Sequence, residues 1–267
     1  MDNIFSSLKY LGFKNADSLE LYSKKDEVCE KECKNNEIDI NSLLYNKKAT
    51  CPVCKKEFTY RTVKSYVPRV RSKDSDSFIR YEVINPYFYE VIVCPTCGYA
   101  ALKGDFNKIR SNKKEVILMK VGNQWRGREY PEVYDEKIAI ERYKLALLNA
   151  VVGELKDSTK AVLCLKIAWM YRMLDNDKNE VEFLNKAIQG FLIAYERERT
   201  PIYGLNIYSL QYLIGELFRR VGDYANAKLW LGRVIISGAD QKLKDKARDM
   251  RDMAKEQEAR INESVEQ

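Results

Sequence analysis

Two cysteine knuckles, Cys51-Pro52-Val53-Cys54 and Cys94-Pro95-Thr96-Cys97, constrain this chain more than any other feature. Two thiolates spaced two residues apart grip one ion from a tight turn. Two such pairs complete a four-thiolate tetrahedral site, with metal–sulfur bonds of about 2.3 Å and no open position. The chain has no histidine, so ligand sets mixing cysteine with histidine are excluded. A proline follows the first cysteine of each pair and fixes φ for the turn. Gly98 follows the second pair, where positive φ is expected. Phe58 and Tyr99 are placed to pack against the site. The expected cofactor is a structural Zn2+ ion on Cys51, Cys54, Cys94 and Cys97. Redox-active CxxC pairs are the competing reading, but these want a βαβ context that the flanking residues do not offer.

Both flanks of the long insertion between the knuckles read as β structure. FTYRTVKSYVPRV (58–70) is rich in β-branched and aromatic residues, and YFYEVIV (87–93) is an apolar run leading into the second knuckle. Strands that leave one knuckle and return to the other make a zinc ribbon, with residues 72–85 as its excursion. Val116-Ile117-Leu118 fits either a strand or part of a short helix. Gly122–Pro131 (GNQWRGREYP) reads as a linker.

From Val133 the apolar period becomes helical. Ile138, Ala139, Tyr143, Ala146 and Leu147 recur at three- and four-residue steps, as do Val162, Leu165, Ile167, Ala168 and Tyr171, then Phe183, Ala187, Phe191 and Ala194. Breaks at Asp157-Ser158, Asp175-Asn176, Thr200-Pro201 and Gly222-Asp223 predict about six helices. The stretch YLIGELFRRVGDYANAKLWLGRVI (212–235) resembles a tetratricopeptide repeat. Gly215 allows close helix packing, Gly222 and Tyr224 make the turn, and Ala227, Leu231 and Val234 face inward. Two looser copies precede it, and Cys164 reads as a small core residue. Residues 241–263 read as a charged, solvated terminal helix.

The predicted fold is therefore α+β: a small β-rich, four-cysteine zinc-ribbon-like domain followed by an all-α, tetratricopeptide-like helical domain. The segments are an N-terminal extension (1–50, with a short helix near Ile4–Leu11 and a strand near Leu19–Tyr22), the ribbon (51–121), the linker (122–131), the helical domain (132–240) and the terminal helix (241–267). Residues 23–41 read as loop or poorly ordered helix. Cys29 and Cys33, at i and i+4, lack further ligands and read as incidental thiols.

The motifs CPVCKKEF, RVRSKDSD, INPYFYEVIVCPTCGYAA, RYKLALL, LKIAWMYR and YLIGELFRR together resemble those of a bacterial family, domain of unknown function 2225. The resemblance covers most of residues 50–236. It implies a zinc-ribbon-type domain fused to tetratricopeptide-like helices, and it brings no activity, so no catalytic residue is carried over. This chain has Lys55 after the first knuckle, where many relatives would have glycine.

Net charge is +7, and residues 51–130 hold 16 basic and 8 acidic residues while the rest is balanced. The excess falls on the ribbon. Arg69, Arg71 and Lys73 would share one face of a strand, near Tyr60 and Tyr66, and could meet nucleic-acid phosphates. Salt-dependent binding lost on neutralising these three would distinguish that reading. Asp74-Ser75-Asp76 reads as a polar turn rather than a carboxylate site. With no histidine, Ser-His-Asp and Cys-His machinery is absent, and no phosphate-gripping glycine loop appears. No apolar run approaches the ~20 residues of a membrane span, no signal peptide is visible, and CxxC thiols suit a reducing compartment. The expectation is a cytoplasmic, non-enzymatic adaptor that binds a protein or peptide partner through its helices, with Tyr203, Tyr208, Tyr212 and Arg219 on the binding face. Nucleic-acid binding by the ribbon and a thiol redox role are the alternatives.

Overall fold

The computed structural model describes residues 39–265. Cys29, Cys33 and the short helix and strand expected before residue 23 lie outside the described residues. A 3-10 turn at Ile40–Leu43, capped by the Asp39 carboxylate on Asn41 N, leads into β1 (Leu44–Thr50). β1 pairs antiparallel with β2 (Glu57–Val63), with Thr50 opposite Glu57 and Leu44 opposite Val63. The first knuckle is the turn of this hairpin. The ribbon thus begins before Cys51, inside the stretch that composition assigned to an N-terminal extension. β1 reads LYNKKAT and buries only Leu44; backbone pairing, not an apolar face, makes it a strand.

β3 (Val70–Lys73) and β4 (Ile79–Tyr81) form a second hairpin, the excursion. Its pairing slips between Val70 and Ser72, leaving Arg71 as the extra residue of a bulge. Such a slip breaks the alternation that would align Arg69, Arg71 and Lys73 on one face. A 3-10 turn at Pro86–Tyr89, capped by the Asn85 side chain, leads into β5 (Val91–Val93). β5 pairs with β6 (Ala100–Leu102) across the second knuckle, Val93 opposite Ala100.

The β5–β6 hairpin is buried on both faces, which is why its strands read as continuous apolar runs. Val91, Val93, Ala100 and Leu102 belong to the core shared with the helices. Ile92 and Ala101, on the opposite face, belong to the core around the cysteines. From residue 39 onward the chain is one compact unit. Segment 122–131 has no strand or long helix and is pinned to the second knuckle: the Trp125 indole lies against Gly98 and donates to Pro95 O at 2.8 Å.

Val116 and Ile117 end a short helix, α1 (Ser111–Ile117), which runs on into a π-helical turn at Leu118–Gly122. Six longer helices follow: α2 (Glu136–Val152), α3 (Asp157–Met173), α4 (Asp177–Arg197), α5 (Ile207–Arg220), α6 (Tyr224–Ile236) and α7 (Gln241–Val265). Side chains of Asp135, Asn176, Asn206 and Asp223 cap α2, α4, α5 and α6 on the third amide beyond, as short polar residues do at N-caps. Gly215 brings α5 onto α6: a Cβ there would stand 2.8 Å from Leu231. α7 is not simply solvated. Ala247 and Ala254 are fully buried, and Leu243 and Met250 pack with Tyr208, Tyr212 and Val234. No described helix is long and apolar enough to cross a membrane.

Candidate metal centre

The two knuckles are built alike. In the first, Cys51 N donates to Lys56 O and Lys55 N donates to Cys51 O, both at 2.9 Å; in the second, Cys94 N donates to Tyr99 O at 2.8 Å and Gly98 N to Cys94 O at 3.0 Å. Position four after the first cysteine has φ of 65° at Lys55 and 66° at Gly98. Gly98 meets that demand freely, and a Cβ there would also strike Trp125 at 2.7 Å. Lys55 holds the same conformation against the steric preference of an L-residue. Lys55→Gly is therefore expected to raise the stability of the metal-loaded protein by roughly 1 kcal/mol, read as a higher melting midpoint. An unchanged or lower midpoint would show that Lys55 is unstrained.

The four sulfurs lie within 4.8 Å of one another. Cys51 Sγ is 3.7 Å from Cys97 Sγ, and Cys54 Sγ is 3.6 Å from Cys94 Sγ. Four sulfurs placed tetrahedrally at about 2.3 Å from one ion stand about 3.8 Å apart, so the residues fit a tetrahedral metal ion. Cys51, Cys94 and Cys97 are buried and Cys54 is half-buried. Hydrogen bonds from Cys51 and Cys97 draw the Cys94 thiol well below its ordinary pKa. Hydrogen bonding to Cys94 pushes Cys51 up, and bonding to Cys51 and Cys94 pushes Cys97 up. A cluster this tight holds one negative charge readily and resists further ones, which a bound cation would offset.

Phe58 and Tyr99 pack against the site as expected, each in contact with the Phe106 ring, and the Tyr99 hydroxyl donates to Phe106 O at 3.0 Å. α2 also reaches it: Asn149 Nδ2 donates to Gly98 O at 3.0 Å. The second knuckle is therefore held by the helical half as well as by its own turn.

The residues expected on a binding face are divided. Tyr203 is partly exposed, its hydroxyl 2.6 Å from Asp105 Oδ2. Tyr208 packs under α7. Tyr212 and Arg219 are each only 8% exposed, so neither stands on an open surface. The Tyr212 hydroxyl donates to Ser75 O at 3.2 Å, and Arg219 pairs with Glu216 at 2.6 Å and reaches Gln257 at 2.8 Å. The physical reason is α7, whose docking closes the α5 face that periodicity alone leaves open. Arg69, Arg71 and Lys73 are all exposed.

Asp74-Ser75-Asp76 is a turn, but not a solvated one. Asp76 is fully buried. Arg172 bonds Asp76 at 2.7 Å, Asp74 at 2.9 Å and Glu180 at 2.7 Å. Trp169 Nε1 donates to Asp76 Oδ2 at 2.9 Å, Arg80 pairs with Asp74 at 3.0 Å, and Arg220 bridges Glu216 at 3.0 Å and Asp76 at 3.5 Å. Burial raises the Asp76 pKa, but the bonds and charges of Arg172 and Arg220 outweigh it and hold the carboxyl below its ordinary value. Phe78, next in the turn, stacks on Trp169 and Tyr87. This network, missed by sequence reasoning, fixes the β3–β4 hairpin onto α3 and α5.

Beside the hairpin lies a cavity of about 790 Å3, walled by Leu165 and Trp169 of α3, Phe191 of α4, Tyr212 and Leu213 of α5, and Leu243 and Met250 of α7, with Tyr203, Lys73 and Lys246 also on its lining. Within it Lys166 pairs with Glu90 at 3.0 Å and lies over the Tyr87 ring at 3.9 Å.

No solved structure matches this chain. It is similar to an uncharacterized protein of Borreliella burgdorferi (strain ATCC 35210 / DSM 4680 / CIP 102532 / B31), 32% identical over 192 residues that cover 59% of this chain and 66% of the relative, just under two thirds of that protein's length. The profile of the family described as an uncharacterized protein conserved in bacteria, DUF2225, matches residues 44–259, with both knuckles and all six long helices wholly or largely inside the match, and the chain belongs to that family.

Proposed function

We propose that the protein is a zinc-stabilised, non-enzymatic adaptor of the cytoplasm that seats a peptide segment of a protein partner in the groove between its helices. The zinc assignment rests on four thiolates, no histidine and tetrahedral spacing, a donor set that zinc favours and that leaves no open position for chemistry. The reduced thiols suit a reducing compartment.

The observation that carries the adaptor reading is the cavity of about 790 Å3 lined by α3, α4, α5 and α7 together with the turn at 73–77. Stacked helix hairpins of the tetratricopeptide kind use such concave surfaces for peptides, and the α5–α6 pair carries that repeat's small and aromatic positions. The walls are largely apolar and aromatic, with exposed Lys73, Lys246 and Asp249 and the half-buried Lys166–Glu90 pair among the lining, as in sites that anchor a few side chains and orient the rest. Tyr203 and Tyr212 line this groove; Tyr208 and Arg219 support it through α7.

Selecting a random displayed-peptide library against the full zinc-loaded chain is expected to enrich peptides that lose about tenfold or more in affinity with Tyr203→Ala or Lys246→Glu. No enrichment, or binders indifferent to both changes, would overturn the groove assignment. The nucleic-acid reading would take its place if single-stranded RNA bound instead, with steep salt dependence lost on neutralising Arg69, Arg71 and Lys73.

A further inference from the structure

A second, smaller cavity, of about 290 Å3, lies between β2, the start of α2 and the segment 128–134. It is at the small end of ligand pockets. Three arginines line it: Arg61 from β2, Arg142 from α2 and Arg128 from the connecting segment.

Arg142 is 3% exposed. Its guanidinium lies over the rings of Tyr130 at 4.7 Å and Tyr134 at 4.5 Å, and one of its terminal nitrogens donates to Val91 O. Among the described residues no carboxylate pairs with it, and its Nε has no hydrogen-bond partner. Arg61 is half-buried: its terminal nitrogens reach Asn41 at 3.0 Å and Asn46 at 3.5 Å, no described carboxylate pairs with it, and its Nε is buried and unpartnered among the described residues. The Tyr130 hydroxyl is a third buried polar atom with no hydrogen bond of normal geometry. Burial, then the nearby Glu141 carboxylate, push its pKa up to about 12. Arg128 is held by Glu141 at 3.0 Å, and exposed Glu132 stands on the lining.

A buried guanidinium without a counter-ion is costly. Aromatic faces offset part of that cost, but they leave N–H donors unmet. The three unpartnered atoms belong to residues that line one cavity and are themselves sealed from water, so each reaches a ligand oxygen by a shift of its side chain. The donors come from three separate chain segments and approach the cavity from different walls. This suits a tetrahedral oxyanion better than a flat carboxylate, and guanidinium forks are well matched to phosphate oxygens.

We propose that this cavity is a binding site for a phosphoryl group, carried by inorganic phosphate or by a small phosphomonoester, with Arg142 and Arg61 as its counter-charges and the Tyr130 hydroxyl as a further donor.

The test is calorimetric titration of the full zinc-loaded chain at constant ionic strength, with inorganic phosphate and with adenosine monophosphate in separate arms and chloride as the control. Saturable one-to-one binding of either phosphate compound is expected. Arg61→Gln and Tyr130→Phe, one partly exposed and the other removing a single oxygen, are each expected to weaken it about tenfold, as loss of one hydrogen bond to a charged group does. Arg142→Lys, which keeps the charge and loses the fork, should weaken it further. Melting curves without phosphate establish that the variants are folded. Tighter binding of the monophosphate would identify a phosphomonoester site; phosphate alone would identify a site for the free ion. No saturable binding by the unaltered chain, or binding equally strong in Arg61→Gln and Tyr130→Phe, would overturn the assignment.

Discussion

Removing the proposed zinc by a strong chelator is expected to unfold the ribbon while leaving the outer helices in place. One zinc per chain and four titratable thiols released with it are the expected stoichiometry. The binding free energy of a structural four-thiolate zinc is of order 10–16 kcal/mol near neutral pH, as large as the whole stability of an ordinary domain. The ribbon's own resources are small: three two-stranded sheets, in which β1 buries one residue of seven. Two-stranded hairpins are marginal alone. The loss would spread by one route, because the second knuckle is gripped by Asn149 of α2 and covered by Trp125. Hydrogen exchange should therefore show protection lost across residues 44–63 and 91–102, weakened at the end of α2, and retained in α5 and α6. Cys94→Ser should do the same without a chelator. A metal-free, fully reduced chain with undiminished protection in β1 and β2 would sink the structural-zinc assignment. Knuckle disulfides forming and reducing without unfolding would move the redox reading to the front.

What could be read from the sequence was local. The CxxC spacing sets the turn and the ligands within six residues, and the breaks at Asn176 and Asp223 are N-caps acting on amides three residues on. The VIV run marks a strand buried on two sides. What stayed hidden depends on distant partners. The carboxylates of Asp74 and Asp76 look like a solvated turn until Arg172, Glu216 and Arg220, 96 or more residues away along the chain, are placed around them. α7 hides its buried stripe because alanines at 247 and 254 carry little hydropathy, and within three positions five charged residues flank the first and four the second in the stretch KLKDKARDMRDMAKEQE. Tyr212 and Arg219 sit on the α5 surface that this stripe covers, so helical period alone gave the wrong exposure for them. Arg61 and Arg142 are 81 positions apart in number, and nothing near either predicts that among the described residues each lacks a carboxylate partner.

Replacing Arg172 with methionine is expected to cost about 3–5 kcal/mol, the penalty for leaving buried carboxylates without their cation. Arg172 holds Asp74, Asp76 and Glu180 together, and Asp76 has no exposure to water. Arg220 at 3.5 Å and the Trp169 N–H would remain beside Asp76, which places the change within that range rather than beyond it. Asp76→Asn should cost less, since Arg172 keeps two carboxylates. The double variant should be less destabilised than the two single changes added, because it leaves no buried charge at position 76 without its cation, while Glu180 still loses Arg172. The pH dependence supplies an independent sign. Both Asp74 and Asp76 have folded-state pKa values below the ordinary carboxylate range; burial opposes this, but the bonds from Arg80 and Arg172 at Asp74, and from Arg172 at Asp76, prevail. Their contribution is thus present above the unfolded value of about 3.9 and is lost as pH falls through the lower folded values. In the unaltered chain, stability should decline on acidification below about pH 4. In Arg172→Met, burial of Asp76 is opposed more weakly, its pKa rises, and protonation relieves the variant, so the gap between the two proteins should narrow as pH is lowered from 7 toward 4. Denaturant melts at several pH values would read this directly. A cost below about 1 kcal/mol, or a gap that stays constant with pH, would mean that the hairpin is held by the Phe78–Trp169 stacking and not by the ions.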